Sequence, residues 1–259
     1  MAAPGILPAA AFWHHRPMQS MQSMHRPLAS LCCAVLLLGC SDPTPTPPDL
    51  RPPPIPGGPL RLPVEDPAAL ISNFVIGVDH NDPPDPAPVR CRSYLGTGFP
   101  ACYSGHEGTD FPLDGGFAAM DAGSAFVVAA AAAVVAETED GNYDRCHGDV
   151  TTGGVDCDGH PMRPNRVVID HDGGLRTAYL HLMKGSILVS PGQRVACGER
   201  LGRIGSSGRS ALPHIHLTLY DNGALRDPYA GPASQPRPYW NSQPADPAEF
   251  PSTVCAASP

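Results

Sequence analysis

No run of about 18 apolar residues occurs in this 259-residue chain, which leaves no candidate for a membrane-spanning helix. Basic residues are also scarce, with 17 Lys and Arg against 25 Asp and Glu. Residues 1–39 contain Arg16 and Arg26 and no acid, so the remainder carries 15 basic against 25 acidic side chains. An acidic body repels phosphate backbones, which argues against nucleic acid as the main partner. No Cys-x-x-Cys pair is present although there are nine cysteines, so a reducing compartment with redox or thiolate-metal chemistry is disfavoured. No internal repeat is evident. What is abundant is proline, at 33 residues, and glycine, at 27; with that much of both, part of the chain stays outside any core. Apolar residues, at 42%, still suffice for one core.

The N-terminal region reads as an export signal. Leu28 to Leu38 (LASLCCAVLLL) is a short apolar segment preceded by His25 and Arg26, too short to span a bilayer and of the length of a secretory core. It runs into Leu37-Leu38-Gly39-Cys40-Ser41, which resembles the lipobox of bacterial lipoproteins and would make Cys40 the lipidated first residue of the mature chain. An ordinary signal peptide with a chance cysteine is the alternative. The expected signal peptide covers 1–39, with Met18, Met21 or Met24 as possible true starts. From Pro43 to Pro63 ten of 21 residues are proline, which fixes φ and removes donors, so 40–63 is expected to be an extended tether. The domain proper is expected over 64–228, and a proline-rich tail packed on it over 229–259.

Six cysteines remain in the mature body: Cys91, Cys102, Cys146, Cys157, Cys197 and Cys255. Six allow 15 connectivities. Pairing Cys91 with Cys102 and Cys146 with Cys157 would close short loops and leave Cys197 with Cys255 to pin the tail, but the others stay open.

Short β-forming runs follow one another at roughly ten-residue spacing between glycine turns: 166–170, 177–181, 187–189, 203–204 and 214–220. This pattern predicts an all-β, antiparallel domain. Residues 70–78 read as an entering strand. The alanine-rich run 125–136 fits a buried helix or two strands about a turn. The loop 137–163 is polar and holds Asp140, Asp144, Asp149, Asp156 and Asp158, without the spacing of an EF-hand.

Three histidine motifs stand apart. His106-Glu107-Gly108-Thr109-Asp110 offers a nitrogen and a carboxylate. Tyr179-Leu180-His181-Leu182 offers a third imidazole. Pro213-His214-Ile215-His216 places two imidazoles on one face of a strand, because residues i and i+2 point the same way. Two histidines and a carboxylate form a catalytic zinc set with a fourth position left for water. Taken singly, each motif is as well explained by a turn pair or a satisfied core histidine. The opening His106-Glu107 is not the helical H-E-x-x-H of other metalloproteases, since Asp110 stands fifth and Gly108-Thr109 forms poor helix. Gly202 to Ser210 lacks the Lys-Ser/Thr of a P-loop.

In this order, with Pro191-Gly192-Gln193-Arg194-Val195, Gly198, Gly202 and Gly205-Ser206-Ser207-Gly208 between them, the motifs resemble the M23 family, the lysostaphin- and LytM-type zinc endopeptidases of peptidoglycan. The resemblance covers about residues 100–220. It implies the β-scaffold of that family, zinc as cofactor with His106, Asp110 and His216 as ligands, and His181 and His214 as the catalytic pair beside a metal-activated water. It further implies an exported, periplasmic or cell-envelope enzyme, anchored through Cys40, that cuts peptide cross-links of the wall. Non-enzymatic relatives that bind the wall or activate other hydrolases are the rival reading, and a protein-cleaving peptidase is a third. All five site positions are filled, which favours the enzyme. The loop 137–163 and a smaller insertion at 114–123 depart from the family pattern.

Overall fold

The computed structural model describes residues 55–257 except 248. The expected signal peptide, Cys40 and residues 40–54 of the expected tether lie outside the described residues.

The strands in chain order are β1 (Ile55–Pro56), β2 (Thr109–Pro112), β3 (Phe126–Val128), β4 (Ala133–Glu139), β5 (His147–Asp149) and β6 (Gly154–Asp156). They continue with β7 (Arg166–Asp170), β8 (Leu175–Leu180), β9 (Arg194–Val195), β10 (Arg200–Arg203), β11 (His214–Asp221), β12 (Ala224–Arg226) and β13 (Ser242–Gln243). One α-helix, α1, spans Gly116–Ala122. All strand pairings are antiparallel, so the expected fold class holds.

The main sheet has the order β12-β11-β8-β7-β4-β9, with β2 also paired to β11. One of its strands, β11, explains both core and site. Ile215, Leu217 and Leu219 point to one side and are fully buried in the core, while His214, His216 and Thr218 point to the other. β8 repeats this, with Thr177 and Tyr179 inward and Ala178 and Leu180 on the opposite face. Trp240, Phe111, Leu60 and Leu62 fill the core, Phe111 meeting Trp240 edge to face at 6.1 Å between centroids. Such a pair contributes about 1 kcal/mol beyond its burial.

Several expectations need amendment. The alanine-rich run is two strands, but β3 pairs with β10 and β4 with β7 and β9, so they belong to different sheets. The turn between them is buried, and Tyr179 Oη accepts the Ala130 N–H at 2.8 Å, which removes the need for a helix. Residues 70–78 make only isolated bridges, Leu70 with Leu113, Ile76 with Asp110 and Gly77 with Cys102, because the chain turns at Asn73 with φ 59°. Residues 187–189 are not a strand, and Leu188 is 59% exposed. The insertion at 114–123 carries α1, which ends on Gly123 in the left-handed region at φ 64°. Leu60, Leu62 and Val64 are all fully buried, so the boundary expected at 63/64 falls inside the core. The proline-rich composition concealed the apolar alternation at 60, 62 and 64.

Among the described residues, three disulfides join Cys91 to Cys102, Cys146 to Cys157 and Cys197 to Cys255. The last closes a 58-residue separation and holds the C-terminal segment, in which β13 pairs with β1.

Candidate metal centre

Strand register gathers the three motifs. Asp110 on β2 lies directly opposite His216 on β11, and His216 lies opposite Leu180 on β8, one residue before His181. His106 ends the loop that enters β2. The five side chains predicted for the site are brought together here, each between 3% and 8% exposed.

Proton bookkeeping then defines the centre. A carbonyl oxygen can only accept, so an imidazole nitrogen beside one must carry the proton. His106 Nδ1 donates to Gly77 O at 2.7 Å, His181 Nδ1 to Ser207 O at 2.6 Å and His214 Nδ1 to Leu212 O at 2.7 Å. The other ring nitrogen of each, Nε2, is left as a bare lone pair facing inward. His216 is turned the other way: its Nε2 lies 2.8 Å from Thr218 Oγ1, a hydroxyl able to accept from it, and its Nδ1 faces Asp110. His106 Nε2 and His216 Nδ1 stand 3.2 Å apart. Asp110 Oδ1 lies 3.2 Å from His106 Nε2 and 2.8 Å from His216 Nδ1. With a cation in place of the shared protons, all three atoms would turn a lone pair to it. Donors about 2.0–2.2 Å from a tetrahedral ion stand roughly 3.3–3.5 Å apart, so this triangle is close to the size a zinc ion sets. The residues present therefore fit the ion.

His181 and His214 flank the triangle, their rings 4.6 Å apart, with His214 Nε2 3.4 Å from Asp110 Oδ1. Burial would raise the Asp110 carboxyl, but the His106 and His214 imidazoles hold it well below the usual carboxylate range. Burial likewise opposes charge on His214, yet the Asp110 carboxylate wins and its pKa is raised. His181 is kept neutral by burial, reinforced by His214 and His216.

Two further parts of the motif have steric reasons. A Cβ on Gly108 would come within 2.5 Å of His216 Cε1, so the middle glycine of H-x-G-x-D gives the ring its room. His181 has φ 67°, the left-handed region, which turns its imidazole back toward the strands.

The site has members that the motifs did not indicate. Tyr103 stacks on His106 at 4.2 Å between centroids, with its phenol near the Asp110 carboxylate. Burial pushes that phenol up. Arg209 is exposed and lines the same cavity. Ser207, Leu212, Gly77 and Thr218 orient the rings. No period or spacing marks these residues; only the proximity of Tyr103 to His106 in sequence could have suggested it. Of the loop histidines outside the site, His147 and His160 are exposed, but His80 pairs with the buried Asp227 at 2.8 Å. In the acidic loop, Asp140 and Asp144 accept from Gly185 and Lys184 backbone N–H groups, and Asp158 accepts from the Tyr143 hydroxyl.

The cavity over these residues has a volume of about 1050 Å³ and runs along the face of β4, β7, β8 and β11.

Among solved structures, the catalytic domain of lysostaphin from Staphylococcus simulans is 24% identical, covering 52% of this chain and 82% of that one, at a TM-score of 0.32. Among curated proteins, peptidoglycan DD-endopeptidase ShyA of Vibrio cholerae is 47% identical over 64 residues, which are 25% of this chain and 14% of the relative. Glycyl-glycine endopeptidase ALE-1 of Staphylococcus capitis is 35% identical over 65 residues, 24% of this chain and 17% of the relative. The match thus spans about a seventh to a sixth of the length of these relatives. Peptidase family M23 matches residues 104–228, an interval that contains all five convergent side chains. The chain carries, at 104–228, a domain of peptidase family M23.

Proposed function

We propose that the protein is a zinc-dependent endopeptidase that hydrolyses peptide cross-links of bacterial peptidoglycan. The observation that carries this is the close triangle of possible ligand atoms, His106 Nε2, Asp110 Oδ1 and His216 Nδ1, flanked by two further imidazoles with inward Nε2 atoms. The peptidoglycan endopeptidases among the similar proteins support the choice of substrate.

His106, Asp110 and His216 would hold the ion. Zinc there would supply a positive charge that polarises a peptide carbonyl and lowers the pKa of water toward neutrality. His181 and His214 each have Nδ1 committed to a backbone carbonyl, so their rings cannot rotate away. Their Nε2 atoms are placed to hydrogen-bond a reacting water or a developing oxyanion, and to pass a proton to the leaving amine. The Tyr103 phenol, beside Asp110, adds a donor on the same side. The floor of the cavity along β7, β8 and β11 accommodates an extended peptide.

Export and anchoring belong to this reading. A lipid on Cys40 and a proline-rich spacer would hold the domain in the cell envelope at reach of the wall, with the C-terminal segment packed on the domain. Cys40→Ala should move the protein from the membrane to the soluble fraction.

The decisive experiment incubates the purified chain with isolated peptidoglycan and separates the released peptides, with and without a chelator. New amino termini that require zinc, about one ion per chain, and loss of both in His216→Ala are the expected result. Binding to the wall with no new amino termini would overturn the enzyme.

A further inference from the structure

The two segments that wall the groove touch each other. One is the loop entering β2, closed by Cys91–Cys102 and tied to itself where Ser104 N–H donates to Pro88 O at 2.8 Å. The other is the β5–β6 hairpin, closed by Cys146–Cys157 and fixed to the strand-entry loop of β11 through Gly148 N–H to Ala211 O at 2.9 Å. Pro88 on the first and Gly153 on the second both line the cavity. A Cβ on Gly153 would stand 3.1 Å from Pro88 Cγ and 3.6 Å from Pro88 Cβ. The chain therefore forms a ring around the mouth of the site: His106 to Pro88, across to Gly153, down the hairpin to Ala211, and through His214 and His216 back to β2. Each arm is stiffened by its own disulfide. Among the described residues no hydrogen bond joins the arms, so only van der Waals contact holds the ring shut at its tips, and such contact is weak per atom pair.

We propose that this tip-to-tip contact is a strap across the groove that selects substrate by width. A single extended peptide passes beneath it along the sheet, whereas a peptide still attached to glycan strands enters only when the arms part. The inference rests on the endopeptidase reading and deepens it by assigning the strap residues Pro88 and Gly153.

The geometry supplies its own test, because disulfides need Cβ atoms about 3.5–4.5 Å apart and the 3.6 Å found here lies within that range. The full chain with Pro88→Cys and Gly153→Cys is oxidised, its disulfides are mapped by mass spectrometry, and the zinc-loaded protein is assayed on intact sacculi and on cross-linked peptide freed of glycan. The locked protein should cleave sacculi at least tenfold more slowly than wild type and the free peptide within about twofold. Mild reduction should restore sacculus cleavage; the bonds of the two arms are shielded by the buried Cys102 and Cys146, and wild type treated in parallel controls for the half-buried Cys197–Cys255. Gly153 has φ 68°, where a side chain is strained, so the single variants, which should match wild type on both substrates, control for folding. Unchanged sacculus cleavage, equal loss on both substrates, or failure of the new pair to bond would overturn the strap. A wild type inactive on both substrates would instead overturn the endopeptidase reading.

Discussion

Gly108→Ala isolates the metal centre from the rest of the fold. The backbone at Gly108 is not in the left-handed region, so alanine is acceptable on torsion alone and the consequence is one of space. The added Cβ would lie 2.5 Å from His216 Cε1 and 2.8 Å from Leu217 O. Carbon atoms rest about 3.5–4.0 Å apart, so the imidazole must retreat by about 1 Å. Metal–ligand distances tolerate about 0.2 Å, and His216 Nδ1 is one of three donors. Zinc affinity should therefore fall by about 100-fold or more, measured by competition with a chromophoric chelator. The imidazole and the backbone carbonyl of Leu217 must both give way, so the metal-free protein should lose about 1–3 kcal/mol, the usual cost of overpacking. Its Tm should drop by a few degrees. Gly192→Ala provides the contrast, since Gly192 has φ 85° and open space around it: it should lower Tm and leave zinc affinity alone. A Gly108→Ala protein that binds zinc within threefold of wild type would refute the steric account of the motif.

His181→Ala and His214→Ala should each retain about one zinc per chain while kcat falls roughly 100-fold or more, as expected for lost proton-transfer groups; metal analysis alongside peptide release distinguishes this from ligand loss. Replacing Cys197 and Cys255 by serine should cost about 4 kcal/mol in the chain-entropy account for a 58-residue separation, against about 3 kcal/mol for the 11-residue loop of Cys91–Cys102; denaturant titration of both pairs gives the order. His171, with Nε2 2.8 Å from Thr177 Oγ1, has its pKa lowered from 6.5 by burial. The unfolded chain thus binds the extra proton first, and stability present above pH 6.5 is lost as pH falls through that value toward the folded pKa. The wild-type-minus-His171→Gln difference in stability should shrink over that interval, and a difference independent of pH would contradict the assignment.

Much of the site was legible in residue order because its chemistry is local in type even though remote in position. An H-x-G-x-D, a Y-x-H-L and an H-x-H carry their donor types with them, and the two-residue period of a strand places His214 and His216 on one face without further information. The alternation of β11 and the glycine turns also foretold an antiparallel domain. Less was legible where composition misled: proline at 59 and 63 hid the buried Leu60, Leu62 and Val64, and the alanines of 129–132 hid a turn held by Tyr179.

Tertiary structure alone decided which nitrogen of each histidine faces inward, since that depends on carbonyls of Gly77, Ser207 and Leu212 that no spacing rule connects to the rings. It also decided the placement of Tyr103 and Arg209 and the meeting of Pro88 with Gly153, 65 positions apart. Residue types and short-range periodicity are properties of the chain itself. Lone-pair direction and contact between distant loops follow from register and packing, which exist only once the sheet has formed.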